Sequence, residues 1–149
     1  MPEKILYTAE AKSTGDGRNG HVTSGDGLID LDLAMPPAMG GSGAGANPEE
    51  LFAAGYAACY HGTLRSIGRR TGVRVDGSTV AAYVGIGPEG DASDLVVTLE
   101  IYLPDAGPQQ ARELAEAAHQ VCPYSRATRG NISVELRLTG PAATTEQPA

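Results

Sequence analysis

The chain has two cysteines, Cys59 and Cys122, which lie 63 positions apart. In a reducing compartment, such a pair is more typical of catalysis, metal binding or inert thiols than of a permanent disulfide bond. Cys59 lies among small apolar residues, where burial would raise the pKa of its thiol and make it unreactive. A buried cysteine that reacts needs a cation beside it, and arginine suits this role because it keeps its charge when desolvated. That arginine needs a carboxylate in turn, because an unpaired buried charge is costly.

Several charged residues qualify for this arrangement, and the residues alone do not choose among them: Glu49, Glu50, Arg18, Arg65, Arg126 and Arg129. If the chain from Pro48 to Cys59 is one continuous helix, Glu49 and Cys59 lie about 15 Å apart along its axis, which excludes direct contact. Three arrangements then remain open. A long arginine bridges part of the gap, the helix starts later than its capping residues suggest, or the acid comes from another subunit.

A metal site is the alternative interpretation of the same cysteines. Cys59 with His61, and His119 with Cys122, form two closely spaced pairs that together offer the ligand types of a zinc site. Residues two apart on a helix point to different faces, so Cys59 and His61 are poorly placed to share a metal. We therefore predict no metal and no other cofactor, and we keep a zinc module held by Cys59, Cys122 and His119 as an alternative. We expect His61 to be packed or interfacial, His119 to be exposed and His21 to be an ordinary strand or turn residue.

The elements that must position these residues include several short strands. Alternating apolar residues predict β-strands at Lys4–Ala11, His21–Ser24, Leu28–Leu33, Val73–Gly85, Leu95–Leu103 and Ile132–Leu138. The segment from Gly85 to Gly90 matches the dinucleotide-binding pattern G-x-G-x-x-G. It leads into another strand rather than into a helix, so a hairpin turn is the better interpretation.

Two helices are predicted between these strands. Asn47 caps the first helix, Pro48 is its first residue, and basic residues mark its end near Arg70. Its centre is small and uncharged, which predicts a central, buried helix. The second helix begins near Pro108 and is ended by Pro123. Its apolar residues at helical spacing are Ala111, Leu114, Ala115, Ala118 and Val121. The order βββ-α-ββ-α-β indicates an α+β fold with both helices packed against largely antiparallel sheet.

Length and composition restrict the class of protein. The 149 residues fit a single domain, expected over residues 1–140, with a flexible tail at residues 141–149. A net charge of −7 and the absence of tryptophan argue against a nucleic-acid partner. No apolar run approaches the roughly 18 to 20 residues of a membrane helix, and the first residues lack the pattern of a signal peptide. We therefore expect a cytoplasmic protein without nucleic-acid or membrane partners.

Two long stretches are similar to the signature sequences of one family. NPEELFAAGYAACY, from Asn47 to Tyr60, and VCPYSRATRGN, from Val121 to Asn131, resemble the two motifs of the organic hydroperoxide resistance (Ohr) proteins. These are thiol peroxidases of the OsmC/Ohr superfamily, and the second stretch separates this chain from the OsmC branch. The similarity covers nearly the whole chain. The chain departs from the family pattern at Glu50, where glutamine is commoner, and at Tyr60, where phenylalanine is commoner.

The resemblance implies roles for four residues. Cys59 matches the peroxidatic cysteine of the family, and Cys122 matches its resolving cysteine. Arg18 matches the active-site arginine of the first hairpin loop, and Glu49 matches the acid that pairs with it. The family fold is an intertwined homodimer with both active sites at the subunit interface. Its reductant is a dithiol such as dihydrolipoamide on lipoylated proteins, rather than thioredoxin.

The resemblance also implies a reaction. Cys59 is expected to reduce an alkyl or fatty-acid hydroperoxide to the alcohol and to become a sulfenic acid. Cys122 then condenses with it to a disulfide, which a dithiol reopens by exchange. A thiol redox sensor without turnover, an OsmC-type peroxidase with another reductant, and the zinc module remain alternatives.

Overall fold

A computed structural model describes residues 1–140, so the tail expected at residues 141–149 lies outside the described residues. The elements in chain order are β1 (Ala11–Thr14), β2 (His21–Ser24), β3 (Asp30–Asp32), α1 (Pro48–Thr71), β4 (Thr79–Glu89), β5 (Ala92–Tyr102), α2 (Pro108–Val121), α3 (Pro123–Thr128) and β6 (Val134–Thr139). This arrangement confirms the predicted α+β class. The chain divides into two compact units, one of residues 1–51 and one that starts at Phe52, so the expected single domain stays a prediction.

The first unit contains an antiparallel sheet in the order β1-β2-β3. The predicted strand at Lys4–Ala11 is wrong, because β1 begins where that prediction ends. Its pairing runs from Ala11 opposite Ser24 to Thr14 opposite His21. The pairing continues for one more contact, in which the amide of Gly25 donates to the carbonyl of Glu10 at 2.9 Å. The partner strand then turns away through Gly27, whose φ of 75° favours glycine, so no strand forms before Ala11.

Helix α1 begins and ends close to where its capping residues predict. The side chain of Asn47 accepts a hydrogen bond from the backbone amide of Glu50 at 2.9 Å and donates one to the Glu50 carboxylate at 2.7 Å. This reciprocal cap fixes the start at Pro48. At the other end, Gly72 has a φ of 78°, the left-handed conformation that commonly follows a helix.

The expected burial of α1 on all sides is wrong for this chain. Only one face is buried in the second unit, and Ala54, Ala58 and Gly62 on other faces are exposed. The buried face follows helical spacing: Tyr56, Tyr60, Leu64, Ile67 and Gly68. The hydroxyl of Tyr60 donates to the carbonyl of Ala115 at 2.7 Å, so this tyrosine links α1 to α2.

The second unit contains a sheet in the order β4-β5-β6. The strand predicted from Val73 begins only at Thr79, because a turn at Gly77 (φ 71°) occupies the preceding residues. The hairpin turn expected over residues 85–90 is confined to its end at Gly90, because β4 continues through Glu89 and pairs with β5. β6 pairs with β5 in parallel, an exception to the largely antiparallel pairing expected. Two helices intervene between β5 and β6 and return the chain to the end of the sheet from which β5 started.

The core of the second unit lies between α1, α2 and β5. Alternate residues of β5 and the residue after it point into the core: Val97, Leu99, Ile101 and Leu103. The apolar stripe of α2 is buried from Ala111 to Ala118, whereas Val121 is exposed. No helix within residues 1–140 is long and apolar enough to cross a membrane.

Candidate active site

The two cysteines of the second unit lie side by side. Cys59 lies in the middle of α1 and is partly exposed, whereas Cys122 follows the end of α2 and is fully buried. Both are free thiols, and Cys122 donates a hydrogen bond to Cys59 with a distance of 3.8 Å between the Sγ atoms. The two sulfurs predicted to form a redox pair are therefore in contact in the folded chain.

Cys122 occupies a junction between two helices. Because Pro123 follows it, Cys122 adopts an extended conformation (φ −59°, ψ 126°) and α2 ends. Pro123 is also the first residue of α3, a short helix that the sequence analysis missed. The amide of Cys122 donates to the carbonyl of Ala118, and its carbonyl accepts from the amide of Arg126, each at 2.9 Å. Cys122 is thus held by the backbones of both helices.

The surroundings of Cys59 within this unit favour the thiol over the thiolate. Burial raises the pKa of Cys59, the neighbouring Cys122 raises it further, and the backbone amide of Tyr124 opposes both effects. The hydrogen bond from this one amide lowers the pKa by less than desolvation raises it. A reactive thiolate at Cys59 therefore needs positive charge beyond these groups.

The first unit contains the predicted arginine and its acid. Arg18 lies in a short 3-10 turn, Gly17–Asn19, between β1 and β2. Its guanidinium donates from Nη1 and Nη2 to both carboxylate oxygens of Glu49, at 3.0 and 2.9 Å. The Glu49 side chain is 12% exposed and that of Arg18 is 39% exposed. The ion pair lowers the pKa of Glu49 and raises that of Arg18, so both groups are charged at neutral pH.

The sequence left open whether Glu49 or Glu50 pairs with Arg18. The structure selects Glu49, because Glu50 is engaged in the cap with Asn47. It also removes one of the three arrangements considered for Glu49, since α1 begins at Pro48 and not later.

The other arginines have structural contacts or lie on the surface. Arg65 donates to the carbonyl of Val75 at 2.8 Å and to Ser78 at 3.2 Å. Arg129 donates to the carbonyl of His119, and Arg126 is exposed on α3. Arg65 and Arg129 therefore have structural contacts, and Arg126 is a surface charge.

A cavity of about 500 Å³ opens beside Cys59 within the second unit. Most of its wall is small or apolar, and the remainder is polar. The residues that line it are Ala58, Cys59, Gly62, Ile67, Val121 and Pro123, with the polar Thr63, Ser66 and Arg70. The space therefore suits an apolar group placed next to the thiol.

Three aromatic rings cluster within two turns of Cys59 on its N-terminal side. The ring centres of Phe52, Tyr56 and Tyr124 lie 5.7 to 6.3 Å apart. Gly55 lets Tyr124 approach α1, because a Cβ at this position would lie 2.9 Å from the Tyr124 hydroxyl. Tyr124 is therefore packed against α1.

One of the three histidines differs from expectation, since His21 is a strand residue at the start of β2, as expected. His61 is packed and contacts Ser78 at 2.9 Å, as predicted. His21 lies between two carboxylates, those of Asp32 and Asp30. His119 is partly buried rather than exposed, because its ring contacts a serine of α3. Within residues 1–140 no three His, Cys, Asp or Glu side chains are placed to hold a metal ion, so the zinc alternative gains no support.

The sequence of the chain is similar to a known family and to proteins within it. The profile of the family described as OsmC-like protein matches residues 40–137. An organic hydroperoxide resistance protein of Xanthomonas axonopodis pv. citri (strain 306) is 45% identical over 139 residues, which cover 92% of this chain and 97% of that protein.

Solved structures share the fold. The crystal structure of the organic hydroperoxide resistance protein OhrB of Bacillus subtilis superposes with a TM-score of 0.82 at 42% identity, covering 91% of this chain and 100% of that one. A protein described as organic hydroperoxide resistance protein OsmC from Legionella pneumophila gives a TM-score of 0.86 at 42% identity, covering 91% and 99%. The likeness extends over both units described above.

Proposed function

The chain belongs to the organic hydroperoxide resistance branch of the OsmC/Ohr family, and from this premise we propose that it is a cysteine-based peroxidase that reduces organic hydroperoxides. The observation that carries the proposal is the 3.8 Å contact between Cys59 and Cys122. In this mechanism one sulfur takes up an oxygen atom from the hydroperoxide. A second sulfur within reach then displaces that oxygen as water. The cycle uses only sulfur chemistry and requires no cofactor.

The first step oxidises Cys59. Its thiolate attacks the terminal oxygen of the hydroperoxide, the O–O bond breaks, and the alkoxide takes up one proton and leaves as the alcohol. Cys59, oxidised by two electrons, is then a sulfenic acid. In the second step Cys122 attacks this sulfur, the S–S bond forms as the S–O bond breaks, and the hydroxide leaves as water with the proton of Cys122. Early disulfide formation protects Cys59 from irreversible oxidation.

We assign the activation of Cys59 to Arg18. Within its own unit the thiol has a raised pKa, so its reactivity depends on a cation from elsewhere. Arg18 is held by two hydrogen bonds to Glu49, which orients the guanidinium and balances its charge. As in the family that the chain resembles, the protein is proposed to act as a homodimer. Arg18 and Glu49 are proposed as catalytic machinery together with the two cysteines.

The preferred substrates in this proposal carry an organic tail. Burying an alkyl chain against the apolar wall beside Cys59 contributes binding free energy that hydrogen peroxide cannot supply, about 0.8 kcal/mol per methylene group. Alkyl and fatty-acid hydroperoxides are therefore expected to react faster than hydrogen peroxide.

The proposed reductant is a lipoyl-type dithiol, which attacks the Cys59–Cys122 disulfide and becomes a cyclic disulfide itself. A reducing cytoplasm would keep such dithiols available. A redox sensor would form the same disulfide but would not turn over, and an OsmC-type peroxidase would prefer another reductant.

One experiment separates these outcomes. Consumption of tert-butyl hydroperoxide is followed in the steady state with dihydrolipoamide or with thioredoxin as electron donor. The proposal predicts sustained consumption with dihydrolipoamide, none for Cys59→Ser, and a single round of oxidation for Cys122→Ser. Oxidation of wild-type protein without turnover would identify a sensor, and turnover with thioredoxin alone would overturn the assigned reductant.

A further inference from the structure

A largely buried chain of hydrogen bonds links the helices that carry the two sulfur atoms. The hydroxyl of Tyr56 lies 2.8 Å from Ser125 Oγ and 3.3 Å from Thr128 Oγ1. Ser125 Oγ also lies 2.8 Å from Nδ1 of His119. Tyr56 and Ser125 are fully buried, so their hydroxyl groups depend on these partners for hydrogen bonding. The network joins α1, α2 and α3.

The network runs about one helical turn away from the sulfur contact. Tyr56 precedes Cys59 by three residues on α1. His119 precedes Cys122 by three residues, and Ser125 follows it by three. The contact between His119 and Ser125 therefore spans the junction at Cys122. The contact between Ser125 and Tyr56 ties this junction to the turn of α1 that precedes Cys59.

Counting the protons available for these hydrogen bonds shows what the Nδ1 proton of His119 contributes to the network. Thr128 donates its proton to the carbonyl of Ser125 at 3.1 Å, so its oxygen can accept from Tyr56. With a proton on Nδ1, His119 donates to Ser125. Ser125 then donates to Tyr56, and Tyr56 donates to Thr128, so every contact has its own proton. Without that proton, Ser125 must donate to His119 and the single proton of Tyr56 has to serve two acceptors.

The second step of the reaction requires the junction at Cys122 to hold the two sulfur atoms in a defined geometry. The two Sγ atoms are 3.8 Å apart and must approach to the disulfide length of about 2.05 Å, with a defined dihedral angle, for the S–S bond to form. Cys122 connects α2 to α3, which has only six residues. The direction of its side chain therefore depends on contacts that fix the angle between these two helices.

We propose that His119, through Ser125 and Tyr56, is a positioning residue that aligns Cys122 for attack on oxidised Cys59. This inference rests on the peroxidase function proposed above. It assigns His119 to the resolving step and not to the first oxidation, because the network holds the junction at Cys122. His119 takes no part in the bond changes, which are those given for the second step.

Asparagine and leucine at position 119 form a matched pair for the test, because they have nearly the same shape and only asparagine can replace the hydrogen bond of Nδ1. Reduced protein is mixed with one equivalent of tert-butyl hydroperoxide in a rapid-quench apparatus. Dimedone traps the sulfenic acid of Cys59, and mass spectrometry counts the disulfide. In His119→Leu we expect the trapped sulfenic acid to accumulate and disulfide formation to slow about tenfold. The first oxidation should stay within about twofold of wild type, and His119→Asn should restore fast resolution.

Two further variants complete the design. Gln120→Leu, at the exposed neighbouring position, should leave both steps unchanged. Tyr56→Phe removes one hydroxyl from the other end of the network and should also slow resolution alone, which keeps the test valid if His119→Leu fails to fold. Equal slowing of both steps, unchanged resolution in the folded variants, or failure of His119→Asn to restore the rate would overturn the inference. Absence of any disulfide in the wild type would instead overturn the proposed function.

Discussion

The Sγ atoms of Cys59 and Cys122 are in hydrogen-bond contact at 3.8 Å, although 63 residues separate them in the sequence. The contact is made by the middle of one long helix and by the junction of two others. Neither sulfur has to cross the fold to reach the other. The disulfide proposed for the catalytic cycle therefore requires only a local movement of about 1.8 Å, the difference between this contact and an S–S bond.

Replacing Glu49 by glutamine tests the ion pair with Arg18. The neutral amide keeps the shape of the carboxylate but removes the charge that holds the guanidinium. We expect Glu49→Gln to raise the pKa of Cys59 and to lower its rate of oxidation at neutral pH about tenfold or more, equivalent to ~1.4 kcal/mol. Thiol alkylation as a function of pH and stopped-flow oxidation measure these two effects.

Glu50→Gln is the matched control for that variant. It lies in the same helical turn, and glutamine can still accept the hydrogen bond from Asn47 in the cap. Its oxidation rate should equal that of wild type. If Glu50→Gln and Glu49→Gln had the same effect, the loss would come from net charge and not from the pair with Arg18.

The same pair predicts a dependence of stability on pH. Because Arg18 lowers the pKa of Glu49 in the folded state, the pair stabilises the fold above the pKa of an unfolded glutamate, about 4.3. This contribution is lost as the pH falls through the lowered pKa. The difference in melting temperature between wild type and Glu49→Gln should therefore be present at neutral pH and disappear in acid. A difference that grows on acidification would contradict the assignment.

The pKa of one histidine should be raised, and the pKa values of the other two should be lowered. Hydrogen bonds to Asp32 and then Asp30 raise the pKa of His21, so its stabilising contacts are complete below the ordinary pKa and are lost as the pH rises through the raised value. Burial lowers the pKa of both His61 and His119. NMR titration of the imidazole C2 protons should show one resonance above and two below the usual range.

Asp32→Asn provides the control for this titration. It should shift only the His21 resonance toward its ordinary pKa, leaving those of His61 and His119 in place. Three histidines with unshifted pKa values would show that the described contacts of these rings do not persist in solution.

Gly68→Ala tests the packing of α1 against the rest of the second unit. A Cβ at Gly68 would lie 2.3 Å from Cγ1 of Val75, which is itself buried. The overpacking is expected to cost about 1–3 kcal/mol, which outweighs the gain of about 1 kcal/mol in helix propensity. The melting temperature should fall. Gly87→Ala, where nothing lies within 4 Å of the added Cβ, should cause no loss. An unchanged melting temperature for Gly68→Ala would show that the helix lies further from Val75.

Much of the helical architecture could be predicted from single residues with strong local effects. Asn47 and Pro48 define the start of α1, and Gly72 follows its end, because caps and left-handed glycines act within one turn. Pro123 correctly predicted the end of α2. The same proline also starts α3, which was missed because a helix of six residues shows too little periodicity to be recognised.

The features that depend on long-range contacts could not be predicted from local patterns. The sequence Lys4–Ala11 has strand-like composition, but the residues that form β1 are those that lie opposite β2, from Ala11 to Thr14. The contact of Cys122 with Cys59 and the partial burial of His119 depend on the angle between α2 and α3. The pairing of Arg18 with Glu49 was implied by the family resemblance alone, since composition left six charged residues open.

The count of free thiols after a single oxidation tests the central claim most directly. Fully reduced protein is treated with one equivalent of tert-butyl hydroperoxide, quenched, and analysed for free thiols and for the peptides joined by a disulfide. We predict the loss of both thiols for each hydroperoxide consumed, with Cys59 joined to Cys122 in the same chain. Free thiols that remain unchanged, or a disulfide that joins two chains instead, would contradict the account.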